Sequence, residues 1–159
     1  MKISLTPAQA FQKIKQYCAY QERSHQATKE KLFSMGLYKK DVEILLSQLI
    51  EENYLNEQRY ALLFVGGHFR TKKWGKIKIT AALKQQRVSS YNIQKALDEI
   101  DQTAYLSCLQ RLATVKWNTL KKETTLNKKV KATNYLLQKG YESNLIRTAL
   151  VKLQAPKET

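Results

Sequence analysis

The sequence predicts an all-α protein built from three tandem three-helix repeats, about nine helices in all. Three observations predict it. The two prolines are Pro7 and Pro156, so a 148-residue interior runs without the residue that breaks helices. An 18-residue pattern recurs three times, starting at Leu32, Leu83 and Leu136, with starts 51 and 53 residues apart. The chain is 43% hydrophobic and 26% charged, enough apolar side chain to fill a core. The repeats are expected at 1–53, 54–101 and 102–155, with 156–159 a frayed tail.

The elements follow in order. Thr6-Pro7 reads as an N-cap with proline at the first helical position, and Phe11, Ile14 and Cys18 follow at helical spacing. The second helix ends at Leu32. Four residues on comes Gly36, then the apolar Leu37. That is a left-handed stop: glycine takes the positive-φ position and the next residue packs back on the helix it closes. The third helix carries Val42, Leu45, Leu46 and Leu49 on one stripe, after the weak Tyr38-Lys39-Lys40-Asp41 start.

Asn56 caps the fourth helix, with Leu55 and Tyr60 placed as a hydrophobic staple and Ala61, Phe64, Val65 and Phe69 as its stripe. Lys76-Ile77-Lys78-Ile79 alternates like a strand. It is only four residues long, and Ile79, Ala82 and Leu83 fit a fifth helix better. In the stop after Leu83, Arg87 stands where the other copies have glycine, so this turn is expected to differ. Ser89 or Ser90 caps the sixth helix, with Ile93, Ala96, Leu97 and Ile100 inward. The seventh, Ala104–Asn118, carries Tyr105, Cys108, Leu109 and Leu112. The eighth stops at Leu136, Gly140 and Tyr141. Ser143 caps the ninth, with Ile146, Ala149, Leu150 and Leu153.

Net charge is +15, from 28 basic and 13 acidic residues. From His68 to Arg87 there are seven positive residues and no acid; from Arg111 to Lys139 there are eight, with Glu123 alone against them. Leu37–Tyr60 and Val88–Gln110 are net acidic by contrast. Charge spread for solubility would not segregate this way, and basic segments nearly free of acids on stacked repeats point to a polyanion. Each Lys or Arg that neutralises a phosphate releases counterions. Trp74 is placed as a core anchor that can also stack on a base, and Gly75 as a cap or a point of close backbone approach. Nothing patterned to read base edges is present, so low sequence specificity is expected.

No phosphate-cradling glycine loop occurs, and His25 and His68 have no Cys or His at metal spacing. Ser24-His25 has no acid placed to orient the ring. No catalytic residue, metal or other cofactor is expected. Cys18 and Cys108 read as buried free thiols of a cytoplasmic protein. The start has no apolar run of signal-peptide length, and no segment has the length of a membrane span.

Tyr54-Leu55-Asn56-Glu57-Gln58-Arg59-Tyr60-Ala61 resembles the leucine-acid-acid-x-Arg-aromatic-Ala signature of the bacterial regulatory protein RecX family. Lys73-Trp74-Gly75-Lys76-Ile77-Lys78-Ile79 resembles its Lys-x-x-Gly-x-x-x-Ile segment, and Lys139-Gly140-Tyr141 its last turn. Four positions depart from the family pattern: Asn56 for Asp, Arg87 for the turn glycine, and Lys129 and Lys131 for arginines, which keeps charge but loses bidentate geometry. The resemblance implies an elongated, curved array of three-helix units that lies in the groove of the RecA filament on single-stranded DNA and inhibits ATPase and strand exchange. It implies RecA and single-stranded DNA as partners, with double-stranded DNA also possible. A monomer is expected, and no membrane partner. The expected contacts are Arg70, Lys72, Lys73, Trp74, Lys76, Lys78, Lys84 and Arg87 from the middle repeat, with Lys128, Lys129, Lys131 and Lys139 from the last. Tyr54, Leu55, Asn56, Glu57, Arg59, Tyr60, Ala61, Gly75 and Gly140 are expected to be structural.

Overall fold

The computed structural model describes residues 4–154; the expected tail at 156–159 lies outside the described residues. The described residues form nine α-helices and no strand, ordered as three tandem helix triplets: α1 (Pro7–Tyr20), α2 (His25–Ser34), α3 (Lys39–Glu51); α4 (Glu57–Lys72), α5 (Lys76–Gln85), α6 (Ser90–Leu97); α7 (Gln102–Thr119), α8 (Thr125–Lys139) and α9 (Ser143–Gln154). Lys76–Ile79 is helical, with Ile79 buried and Ile77 exposed. By packing, the described chain forms two compact units, 4–64 with 82–96, and 65–81 with 97–154.

The first unit is built on Ala10, Ile14 and Cys18 of α1, Leu32 of α2, Val42, Leu45 and Leu49 of α3, and Leu55. Thr6 and Gln9 form a reciprocal capping box at the start of α1. Ser24, almost fully buried, accepts from the Ala27 amide as the α2 cap and donates to Gln86 at 2.7 Å. Such a buried hydroxyl is tolerated because both its donor and its acceptor roles are used. The family-like motif closes the same unit. Asn56 Oδ1 accepts from the Arg59 amide at 2.9 Å, Leu55 and Ala61 are buried, and Asn92 donates to Glu57 at 2.6 Å. The Arg59 guanidinium pairs with Glu22 and donates to Asn53. Tyr60 is half-buried, and burial raises its phenol pKa.

The second unit buries Tyr105, Leu109 and Ala113 of α7, Ala132 and Leu136 of α8, then Tyr141, Ile146, Ala149 and Leu150. Phe69 of α4 packs on this core. Two expectations are corrected here. Cys108 is half-buried, because it lies at the edge of the α7 stripe with its Sγ 3.4 Å from the Tyr141 hydroxyl. Ser143 is the first residue inside α9, and Glu142 holds the cap position, since its carbonyl accepts from the Ile146 amide.

The three stops are left-handed in all three copies, with φ 89° at Gly36, 58° at Arg87 and 98° at Gly140. The middle turn therefore does not differ as expected. The Val88 amide donates to Leu83 and the Arg87 amide to Lys84, the same pair of bonds that Tyr141 and Gly140 make to Leu136 and Leu137. A non-glycine residue there costs about 1 kcal/mol. Burying Val88 against a closed helix end offsets it, since a buried Val contributes about 1.5 kcal/mol or more.

Candidate polyanion interface

The turn between α4 and α5 is stitched to the turn between α8 and α9. A helix leaves its first amides and its last carbonyls without partners inside the helix. The amides of Gly75, Lys76 and Ile77 at the start of α5 donate to the Lys139 carbonyl (2.7 Å), the Tyr105 hydroxyl (3.0 Å) and the Gly140 carbonyl (2.9 Å). The carbonyls at the end of α4 are met in return: Tyr141 Oη donates to Lys73 (2.8 Å) and Lys139 Nζ to Lys72 (3.2 Å). The positive end of one helix dipole thus faces the negative end of another. Side chains would block this approach. A Cβ on Gly75 would come 2.3 Å from the Gly140 carbonyl oxygen, and one on Gly140 would come 2.3 Å from Lys78 Cβ.

Tyr105 is the hub beneath the crossing. Its hydroxyl accepts from Lys76 and donates to Glu142. Burial, reinforced by that carboxylate, pushes the phenol pKa far above the usual tyrosine range; burial does the same for Tyr141, with Cys108 adding to it. Both hydroxyls stay protonated and able to donate.

The stitch brings two distant basic segments to one place. Lys72 and Lys78 put their ammonium groups 5.1 and 4.6 Å from the Trp74 ring, Lys139 reaches the same turn, and His68 packs on Trp74 with ring centroids 4.7 Å apart. Trp74 is half-buried, held by cations and not sunk in the core. Lys76 lies 4.9 Å from the Tyr105 ring. Lys73 sits at φ 61°, and its ammonium donates to the Arg70 carbonyl. Beside it a cavity of about 300 Å³ is lined by Phe69, Arg70, Lys73, Ala104, Ser107, Cys108 and Arg111. Arg111 was not among the expected contacts; its signal in the sequence is its place one turn after Ser107 on α7.

Three further expected contacts lie near the start of α8, away from this turn. Lys128, Lys129 and Lys131 sit in the first two turns of α8, roughly 12–16 Å along the axis from Lys139, which ends it. Lys128 covers Trp117 at 5.1 Å, and Lys131 is paired with Glu123 at 2.6 Å, a bond that lowers the glutamate pKa. Lys84 and Arg87 are exposed residues of the first unit. Among the described residues no group of His, Cys, Asp and Glu gathers as metal ligands would, and no helix is long and apolar enough to cross a membrane.

Three matched helix triplets, each with a left-handed stop, define a tandem three-helix-repeat protein. Residues 56–97 match the model of the second three-helix domain of RecX and residues 104–150 that of the third, together more than half of the chain. The chain belongs to the RecX family. It is 32% identical over 103 residues to the regulatory protein RecX of Lactobacillus johnsonii, covering 65% of this chain and 38% of that one. It is 29% identical over 149 residues to that of Lactobacillus gasseri, covering 94% and 55%. The chain thus spans about half the length, or less, of these relatives. The fold superposes on the crystal structure of RecX from Lactobacillus salivarius with a TM-score of 0.85 at 22% identity, covering 93% of this chain and 96% of that one.

Proposed function

We propose that this chain is a non-enzymatic regulator that binds the RecA–single-stranded-DNA filament and inhibits its ATPase and strand exchange, acting in the cytoplasm. Membership of a family of regulatory proteins supports the class. The observation that carries the mode of action is the stitch at Gly75 and Gly140, which sets Lys72, Lys78, Lys139 and Trp74 side by side. Two ammonium groups over an aromatic face, with a third held at the same turn, suit a polyanion that also offers flat bases or guanidinium groups. Residues Lys76, Lys73, Arg70 and Arg111 extend the same cationic unit, and Lys128 and Lys129 form a second, separate contact.

Inhibition would arise by wedging across neighbouring recombinase protomers, which blocks the motion coupled to ATP. The test is RecA ATPase on single-stranded DNA, titrated with this chain well below one copy per recombinase. Strong inhibition at such ratios is expected. Changing Lys72, Lys73, Lys76 and Lys78 together to Glu should abolish it, and survival of inhibition at unchanged dose would refute the assignment. A general DNA- or RNA-binding role without a recombinase is the rival, and the +15 charge favours it equally. It requires inhibition to appear only as competition for DNA.

A further inference from the structure

The first unit holds a cleft lined by residues outside both basic segments of the sequence. A cavity of about 570 Å³ is lined by Leu5, Met35 and Ser34, by Lys13, Gln16, Tyr17 and Tyr20 of α1, and by Arg23 and Lys31. Lys13, Gln16, Tyr17 and Tyr20 fall at i, i+3, i+4 and i+7, so one face of α1 is aromatic and cationic while Ala10, Ile14 and Cys18 face the core. Three cations line the cleft and no carboxylate does.

The floor is already organised. The Arg23 guanidinium lies 3.8 Å over the Tyr17 ring, and its Nε donates to the Tyr17 carbonyl at 3.0 Å. Lys31 approaches the same ring at 5.7 Å. A guanidinium clamped through Nε and stacked on a ring keeps its terminal nitrogens in a fixed fork, the geometry that suits a phosphate. Tyr20, next on the stripe, is an 83% exposed residue at the rim with Arg23 5.9 Å from its ring, which is where an unpaired base could stack.

We propose that this cleft is a seat for one unpaired nucleotide of single-stranded DNA, with the backbone phosphate on Arg23, Lys13 and Lys31 and the base on Tyr20. It lies outside the residues that match the family domains, and it deepens the filament reading by naming a strand contact on the first repeat. An acidic peptide would use the cations and leave the Tyr20 face without a role, so a nucleotide fits better.

The experiment is fluorescence anisotropy with labelled oligo(dT) and with a strand of equal length made of abasic sites, in the absence of recombinase. Tyr20→Ala should weaken oligo(dT) binding about tenfold and leave the abasic strand within about twofold of the parent chain. Lys13→Glu with Lys31→Glu should weaken both strands and reduce the salt slope by about 1.5. Unchanged oligo(dT) binding by Tyr20→Ala overturns the seat. So does an equal loss on both strands. Both variants alter exposed groups, and an unchanged circular dichroism melt will show that they fold. The seat and the filament reading separate cleanly, because only the latter is read by RecA ATPase.

Discussion

The first and last turns of the repeat share one design and are held differently. Gly36 and Gly140 both end a helix in the left-handed region and are both followed by a buried apolar residue. Behind Gly36 lies Ser4, whose hydroxyl is the nearest neighbour a Cβ would meet. Behind Gly140 lie the backbone and Cβ of Lys78, on a helix whose own start is hydrogen-bonded to the turn. The first glycine answers mainly to backbone torsion; the last answers to torsion and to the crossing of two chains. Arg87 shows that torsion alone does not demand glycine.

Substitutions sharpen that contrast. Gly140→Ala combines a left-handed strain of about 1–2 kcal/mol with an overpacking cost of about 1–3 kcal/mol, so urea denaturation should show a loss of about 3 kcal/mol or more. Gly75→Ala meets only the crossing and should lose about 2 kcal/mol, along with part of the polyanion affinity. Gly36→Ala should lose about 1–2 kcal/mol, as the Ser4 hydroxyl can turn aside and the Ser4 Cα, 3.0 Å from the added Cβ, needs only a small shift; a loss as large as that of Gly140→Ala would erase the distinction. Arg87→Gly should gain about 0.5–1 kcal/mol by relieving the strain at φ 58°.

The last contrast is silent at neutral pH and opens in alkali. Tyr105 and Tyr141 have raised pKa values in the folded second unit. Their contribution is complete below the unfolded tyrosine value near 10 and is lost as pH rises past it. Trp74 and Trp117 both belong to that unit, so tryptophan fluorescence should report its alkaline unfolding. Tyr141→Phe should shift that transition upward, and an unchanged transition would refute the assignment.

Much of this fold was legible because helix stops and apolar stripes are local. Thr6-Pro7, Asn56, Gly36 and Gly140 act where their chemistry places them. Arg87 misleads because the left-handed penalty of about 1 kcal/mol is smaller than the gain from burying Val88, and propensity alone does not rank the two. The site was legible only as two charged segments. The register of Gly75 against Gly140 joins residues 65 apart, and helical periodicity carries no signal for such a pairing. The separation of Lys128 and Lys129 from Lys139 was readable from the axial rise of a helix. The stripe at Lys13, Gln16, Tyr17 and Tyr20 was readable as well, hidden by its neighbours on the core face.

The stitched turns also make the cationic surface conditional on synthesis. Lys72, Trp74 and Lys78 leave the ribosome some sixty residues ahead of Lys139, Gly140 and Tyr141. Until that last turn emerges, the α5 amides have no carbonyls to meet and the tryptophan has an incomplete cage of ammonium groups. A nascent chain therefore carries its charge early but completes late the turn that sets Lys139 beside Lys72.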